Sequence, residues 1–206
     1  MSGNVSFNPY ATSSPQNSFL LESQGLVQGL TYSDTVSRLW LKSGVLASTE
    51  TIVMWGGVPI EEPILSTGTG AEGIGPNIKR ATSQATVTGF STGDQMNSMV
   101  IVPGNSAPVS GIGGVVGFYR LGTNARLAVQ ADPALVSAVS SGNPAINSQA
   151  LYWDVTNYRV TLTTTGGNFA LPTSIRLLET NTNSKIINYA SGVASWTQGD
   201  AVILLI

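Results

Sequence analysis

Cysteine and histidine are both absent from this chain of 206 residues, and charge is scarce. Without cysteine there can be no disulfide scaffold and no thiol redox site. Without histidine the commonest general base and the commonest transition-metal ligand are gone. Ser-His-Asp and Cys-His arrangements and ordinary zinc sites go with them. An enzyme reading is left with carboxylate, Lys, Tyr or Ser-Lys chemistry. Charged residues make up 10% of the chain, against roughly 25% in ordinary soluble domains. Nine Lys+Arg and a net charge of −2 argue against a nucleic-acid surface, which needs a basic stripe to displace counterions from phosphates. Long apolar runs are missing too. The run from Ala201 to Ile206 falls far short of the roughly 20 residues that span a bilayer. Met1-Ser-Gly-Asn-Val-Ser-Phe-Asn-Pro9 has neither the basic start nor the apolar stretch of a signal peptide. The expectation is a soluble chain made in the cytoplasm, with no membrane partner and no cofactor.

What is present is apolar and β-forming. Hydrophobic residues reach 42% with little charge, the reverse of a disordered composition. Weak charge also means weak repulsion between copies, which favours assembly. The plainest pattern lies between Ala150 and Thr165. Leu151, Trp153 and Val155 alternate with Tyr152, Asp154 and Thr156, and Val160 and Leu162 resume the alternation. Period-2 patterning predicts a strand, a turn and a second strand. Asp154 and Asn157 suit the bend because their side chains bond nearby backbone amides.

Residues 1–35 predict an irregular N-terminal arm. Phe7, Tyr10, Phe19, Leu20, Leu21, Leu26 and Leu30 sit at irregular spacing among Ser, Asn, Gln, Gly and Pro. Such side chains must lie on a surface, either the chain's own or a partner's. Residues 36–206 predict a single β domain with a Gly-rich loop at 66–81. Residues 38–47 read as a strand in which Gly44 marks a bulge or a close approach. In residues 51–63, Gly56-Gly57 breaks the run, and Pro59 and Pro63 suit an edge strand. Glu61 and Glu62 point to opposite strand faces and read as solvated. Gly68-Thr-Gly70-Ala-Glu-Gly73 has dinucleotide-site spacing, but Gly75-Pro76-Asn77 interrupts the helix that such a site requires. A mobile loop reaching towards a partner, with Lys79 and Arg80 at its far end, is the better reading.

Further strands are expected at residues 85–90 and 98–103. Residues 115–121 and 126–130 read as a hairpin about Gly122-Thr-Asn124. Asp132-Pro133 caps a short helix that Gly142 ends. Two more strands flank Asn181-Thr-Asn183, and two flank Gly199-Asp200, the last apolar enough to be buried on both faces. Roughly nine to eleven strands with one helix predict an all-β, antiparallel sandwich or barrel, jelly-roll-like in outline.

A set of runs recurs in order over the last half of the chain. It comprises Asp94-Gln95, Met99-Val-Ile-Val-Pro-Gly104, Phe118-Tyr-Arg-Leu-Gly122 with Ala125-Arg126, and Asp132-Pro-Ala-Leu135. Trp153-Asp154, Asn183-Ser-Lys-Ile-Ile-Asn-Tyr189, Trp196 and the final Ala-Val-Ile-Leu-Leu-Ile follow. In that order they resemble the structural cement (decoration) proteins of tailed bacteriophage capsids, with Leu39, Gly44 and Gly57 the nearest correspondences earlier on. The resemblance implies a virion protein on the outer capsid surface that locks major capsid protein subunits together. It implies a homo-oligomer, dimer or trimer, with no catalytic residues, cofactor or metal. Phe7, Tyr10, Phe19, Leu20, Lys79 and Arg80 are the candidate contacts to capsid or neighbouring subunit. Three alternatives stand beside it. One is a tail or fibre-associated virion sandwich. Another is a carbohydrate-binding module stacking sugars on Trp40, Trp55, Trp153 or Trp196. The third is a glycosidase pairing Glu61 with Asp94 or Asp154.

Overall fold

Five short strands close on themselves in the order β1-β3-β2-β4-β5, with β5 returning to β1. The computed structural model describes residues 25–32, 39–63, 76–93, 107–142 and 149–206. The barrel strands are β1 (Lys42–Leu46), β2 (Pro59–Glu61), β3 (Asn77–Arg80), β4 (Gly89–Ser91) and β5 (Val115–Arg120). All neighbours are antiparallel except β1 and β3, which run parallel. Leu46, Ile60, Ile78, Phe90, Val116 and Phe118 fill the core. Gly44 is a close approach: a Cβ there would lie 2.6 Å from the Pro76 carbonyl oxygen. Its register with β5 runs unbroken from Lys42↔Phe118 to Val45↔Val115, so no bulge forms. The edge reading of Pro59 is corrected, because β2 sits between β3 and β4. Pro59 is tolerated as the first residue of the strand, where a missing N–H removes little.

The second sheet has the order β10-β11-β6, from β6 (Arg126–Gln130), β10 (Arg176–Ala190) and β11 (Val193–Leu205). Here the expected short strands are corrected to two long ones. Ser191 (φ 52) and Gly192 (φ 82) form the hairpin turn, matching the two positive φ values of a type I′ turn. The polar run at 181–183 makes a β-bulge, not a turn: the register passes from Asn181↔Ala201 to Ser184↔Gly199. The Asn183 N–H donates to Asn181 Oδ1 there at 2.8 Å. Strand β11 lies between β10 and β6, which is why Ala201, Val202, Ile203 and Leu204 are all buried. The expected β5–β6 hairpin is also corrected. The chain does turn after β5, with Gly122 and Asn124 at positive φ. The two strands then part, β5 to the barrel and β6 to the second sheet.

Helix α1 (Pro133–Ser140) matches its sequence signals. Asp132 Oδ1 accepts the Ala134 N–H at 3.0 Å, and Pro133 opens the first turn. The Gly142 N–H closes the last turn on the Val139 carbonyl. Strands β7 (Tyr152–Asp154), β8 (Arg159–Thr161) and β9 (Phe169–Ala170) form a third sheet in the order β8-β7-β9.

The β7–β8 turn is built on one carboxylate. Asp154 Oδ1 accepts the Thr156 and Asn157 N–H groups at 3.0 Å each, and Oδ2 accepts Asn157 Nδ2 at 2.7 Å and Arg159 Nε at 3.3 Å. Burial alone would raise the Asp154 pKa. The Asn157 and Thr156 bonds and the Arg159 charge outweigh it and hold the carboxyl below the usual range. A lowered folded-state pKa means stability that is present above the unfolded value and lost as pH falls through the folded one. Asp200 runs the other way: burial and then Asp132 raise it, so its contribution is lost as pH rises. Urea titrations should therefore show acid loss below about pH 4 that Asp154→Asn reduces, at some cost to stability at pH 7. Equal acid slopes in the two proteins would take Asp154 out of this account.

Residues 25–32, read as part of the arm over 1–35, are bonded to the body, and the rest of that arm lies outside the described residues. Leu26 and Val27 are buried, and Gln28 is 1% exposed. The Leu30 N–H donates to the Val27 carbonyl at 3.1 Å with Gly29 at φ 82, the pattern of a type II turn. Gln28, at its apex, donates from Nε2 to the Gly56 carbonyl at 3.1 Å and accepts the Ile187 N–H at 2.7 Å. One side chain thus ties the segment before β2 to the second sheet.

Candidate functional site

The only candidate contacts among the described residues are Lys79 and Arg80; Phe7, Tyr10, Phe19 and Leu20 lie outside them. So do the Gly68–Gly73 spacing and Asp94. Lys79 and Arg80 belong to β3, so successive side chains take opposite faces. Lys79 Nζ lies 2.7 Å from Glu61 Oε1 and keeps a third of its side chain exposed. Arg80 turns inward, and its placement as an outward contact is corrected. Its side chain is 12% exposed and that of its partner Glu50 is 11%.

Glu50 grips Arg80 twice. Oε2 takes Nη1 at 2.8 Å, and Oε1 takes the Arg80 backbone N–H at 2.7 Å. The guanidinium also donates to the Ile52 carbonyl at 3.3 Å and to the Val53 carbonyl. Its carbon lies 4.9 Å from the Trp55 ring centroid and 5.7 Å from that of Tyr158. Tyr189 stacks on Trp55 at 5.1 Å, and Tyr158 meets it edge-on at 5.1 Å. Burial lowers the Arg80 pKa, and Glu50 pulls it back. The group stays charged, since a guanidinium does not lose its proton inside proteins. Chemically this is a rigid pin. It joins β3 to Tyr158, the last residue of the β7–β8 turn, and to Tyr189 near the end of β10.

The acidic pair does not act as one unit, and the solvated reading is corrected. Glu61 is buried against Lys79, while Glu62 takes Arg120 through two bonds of 2.8 and 2.6 Å. Asp154 is consumed by its turn. Of the four tryptophans, Trp55 and Trp153 are buried, Trp196 is partly buried against the core, and Trp40 is 54% exposed. No two of them form an exposed platform for sugar stacking. Among the described residues no cluster of three Asp or Glu side chains could hold a metal ion.

Sequence reasoning did not single out Leu39, Ile112, Leu178 and Val193 as exposed apolar side chains, and it offered the exposed Trp40 only as a sugar-stacking candidate. None of them carries a sequence signal: the register shift between Leu177 and Glu179 that goes with the exposure of Leu178 depends on strand pairing, and apolar residues in short strands and turns read as core. No helix among the described residues is long and apolar enough to cross a membrane. Comparison with protein-family models, with curated proteins and with solved structures finds no match to any of them.

Proposed function

We propose that this protein is a virion component that binds the outside of an assembled phage capsid and stabilises contacts between major capsid protein subunits. The observation that carries the reading is the ordered set of runs resembling capsid cement proteins, and where those runs lie in the fold. Phe118 and Trp153 are core, Asp132 caps the helix, Asp154 holds its turn, and the final run is the central strand β11. These described residues of the resembling runs are thus framework residues. They support a common body, and they leave partner choice to the arm and the exposed surface.

That surface suits a contact protein. Leu39, Trp40, Ile112, Leu178 and Val193 lie open on a body with few charges to repel a neighbour. The major capsid protein of the same phage and further copies of this chain are the partners in this reading. Repeated over one shell, each copy can bind modestly while the whole gains through multivalency. Copies that bind only the assembled lattice stabilise it by mass action. Aromatic Phe7 and Tyr10 supply the kind of anchor that dominates such interfaces.

Co-sedimentation with undecorated capsids tests this directly. The expected result is saturable binding at a fixed number of copies per shell, and a raised temperature of shell disruption. Phe7→Ser with Tyr10→Ser should lower occupancy at least about tenfold, the loss expected of truncated aromatic anchors. Protein that stays in the supernatant of DNA-filled heads but is found on tails would replace this reading with the tail-component one. Unchanged occupancy in the double variant would remove the arm from the mechanism.

A further inference from the structure

The second sheet ends on an open edge at the start of β10. Strand β11 pairs along one side of β10, and on the other side Val27 forms a parallel bridge only at Lys185. Among the described residues, nothing pairs with the outer backbone of residues 176–181. An open edge templates pairing with another chain unless something blunts it. Two of the usual blunting devices, a bulge and charged side chains, are present here. Their arrangement decides what the edge accepts.

Register fixes that arrangement. Arg176 pairs with Leu205 and Glu179 with Ile203, and β11 runs regularly between those two partners. Leu205 and Ile203 are two positions apart and share a sheet face, so Arg176 and Glu179 share it as well. Leu178 is the extra residue of the bulge between them. Both charged residues are exposed, and neither makes an ion pair among the described residues. Lys79, Arg80, Arg120 and Arg159, by contrast, each have a carboxylate partner. Leu178 is 47% exposed. The edge therefore carries a cation and an anion on one face with a large apolar side chain between them. Rotated by half a turn, this pattern is its own complement. An antiparallel copy centred on Leu177 sets each Arg176 against the other copy's Glu179.

We propose that the protein forms a two-fold symmetric dimer through this edge, with β10 antiparallel to β10 of a second copy. The order β10-β11-β6 in each copy then continues across the axis into the other copy's sheet. An isologous contact closes on itself, so the edge is satisfied without growing a fibre. A contact of so few residues falls below the roughly 1,200 Å² of standard stable interfaces, which makes the dimer weak, with a Kd of about micromolar order. Copies held side by side on one shell gain on this through multivalency. The dimer deepens the part of the proposed function in which further copies of this chain are partners. It is measured on purified protein without capsids, so failure of either leaves the other standing.

Charge exchange tests the contact. Sedimentation equilibrium of the unaltered protein should show monomer and dimer in reversible exchange. Arg176→Glu and Glu179→Arg should each weaken the dimer at least about tenfold, because each sets like charges opposite one another at two places. Arg176→Glu combined with Glu179→Arg should restore the dimer to within about threefold, since the attraction returns with its sign reversed on each strand. A chain that stays monomeric at its highest soluble concentration overturns the proposal. So does a dimer that the single variants leave unchanged, or one that the double variant fails to restore. The cysteine-free chain offers a second readout. Leu178→Cys, beside the axis, should give a covalent dimer with a short bis-maleimide, whereas Val193→Cys, beside the hairpin turn, should not. No crosslink at Leu178→Cys, or equal crosslinking of the two variants, would also overturn it.

Discussion

Arg80→Met lowers stability by about 3–5 kcal/mol, the loss expected when one partner of a buried ion pair is removed. Methionine keeps much of the side-chain volume, so the loss is chiefly electrostatic. It leaves the Glu50 carboxylate, 11% exposed, facing a neutral thioether. It also strips donors from the Ile52 and Val53 carbonyls and the cation from the Trp55 face. An unsatisfied buried acceptor costs roughly 1–3 kcal/mol, so the carbonyls alone account for part of the effect. Glu50→Gln should cost less, because its side-chain oxygen can still accept from the guanidinium. Arg80→Met combined with Glu50→Leu should recover part of the loss, since apolar replacement of a whole buried pair is often tolerated. Urea unfolding of the three variants measures this. A loss below about 1 kcal/mol for Arg80→Met would place the pair with ordinary surface bridges and remove the pin.

The same residue shows where a one-dimensional reading stops. Lys79 and Arg80 are neighbours of like charge after a Gly-rich run, and locally nothing separates them. Strand alternation does say that they face opposite sides. It does not say which side is the core, because that depends on Glu50 and Trp55 some 25 to 30 positions earlier. What was legible was local. Asp154 and Asn157 mark a turn whose bonds close within three residues, and Asp132-Pro133 marks a helix start for the same reason. The all-β character followed from alternation alone.

Pairing partners were not legible. Gly122-Thr-Asn124 is good turn chemistry, but a turn fixes only the chain's reversal, and the next strand went to a different sheet. Asn181-Thr-Asn183 and Gly199-Asp200 look like ends of strands. They are instead the two sides of one bulged region in a long hairpin, held in extension by cross-strand pairing. Ser191-Gly192 was the turn signal to weigh. Residues 25–32 were read as arm because they lack periodicity. Their bonds to the rest of the body go to residues about 30, 65, 100 and 160 positions away, and Gln28 is buried by partners no window could contain.

Gly56→Ala should destabilise the protein by about 4 kcal/mol, in the range that calls for a specific mechanism. The mechanism is a backbone crossing. An alanine Cβ at 56 would lie 2.4 Å from the Gly93 nitrogen and 2.6 Å from the Gly29 Cα. Both are main-chain atoms, so no side chain can rotate away. Moving residue 29 would strain three bonds at once, because the Gly29 carbonyl accepts from the Gly93 N–H and Thr92 Oγ1, and its N–H donates to Ala128. Moving residue 56 would pull its carbonyl from Gln28 Nε2 and leave a buried amide short of a partner. Gly93→Ala is the control, because its nearest contact would be 3.6 Å, an ordinary van der Waals distance. The pair therefore separates loss of space at one crossing from a general intolerance of glycine replacement. Hydrogen exchange adds the location: in Gly56→Ala the Gln28 and Gly29 amides should exchange at least about tenfold faster, while the β11 amides keep protection near the global limit. If instead every amide accelerated together, residues 25–32 would be no separable unit. The crossing of Gly29, Gly56 and Gly93 would then hold the whole molecule and not its first segment alone.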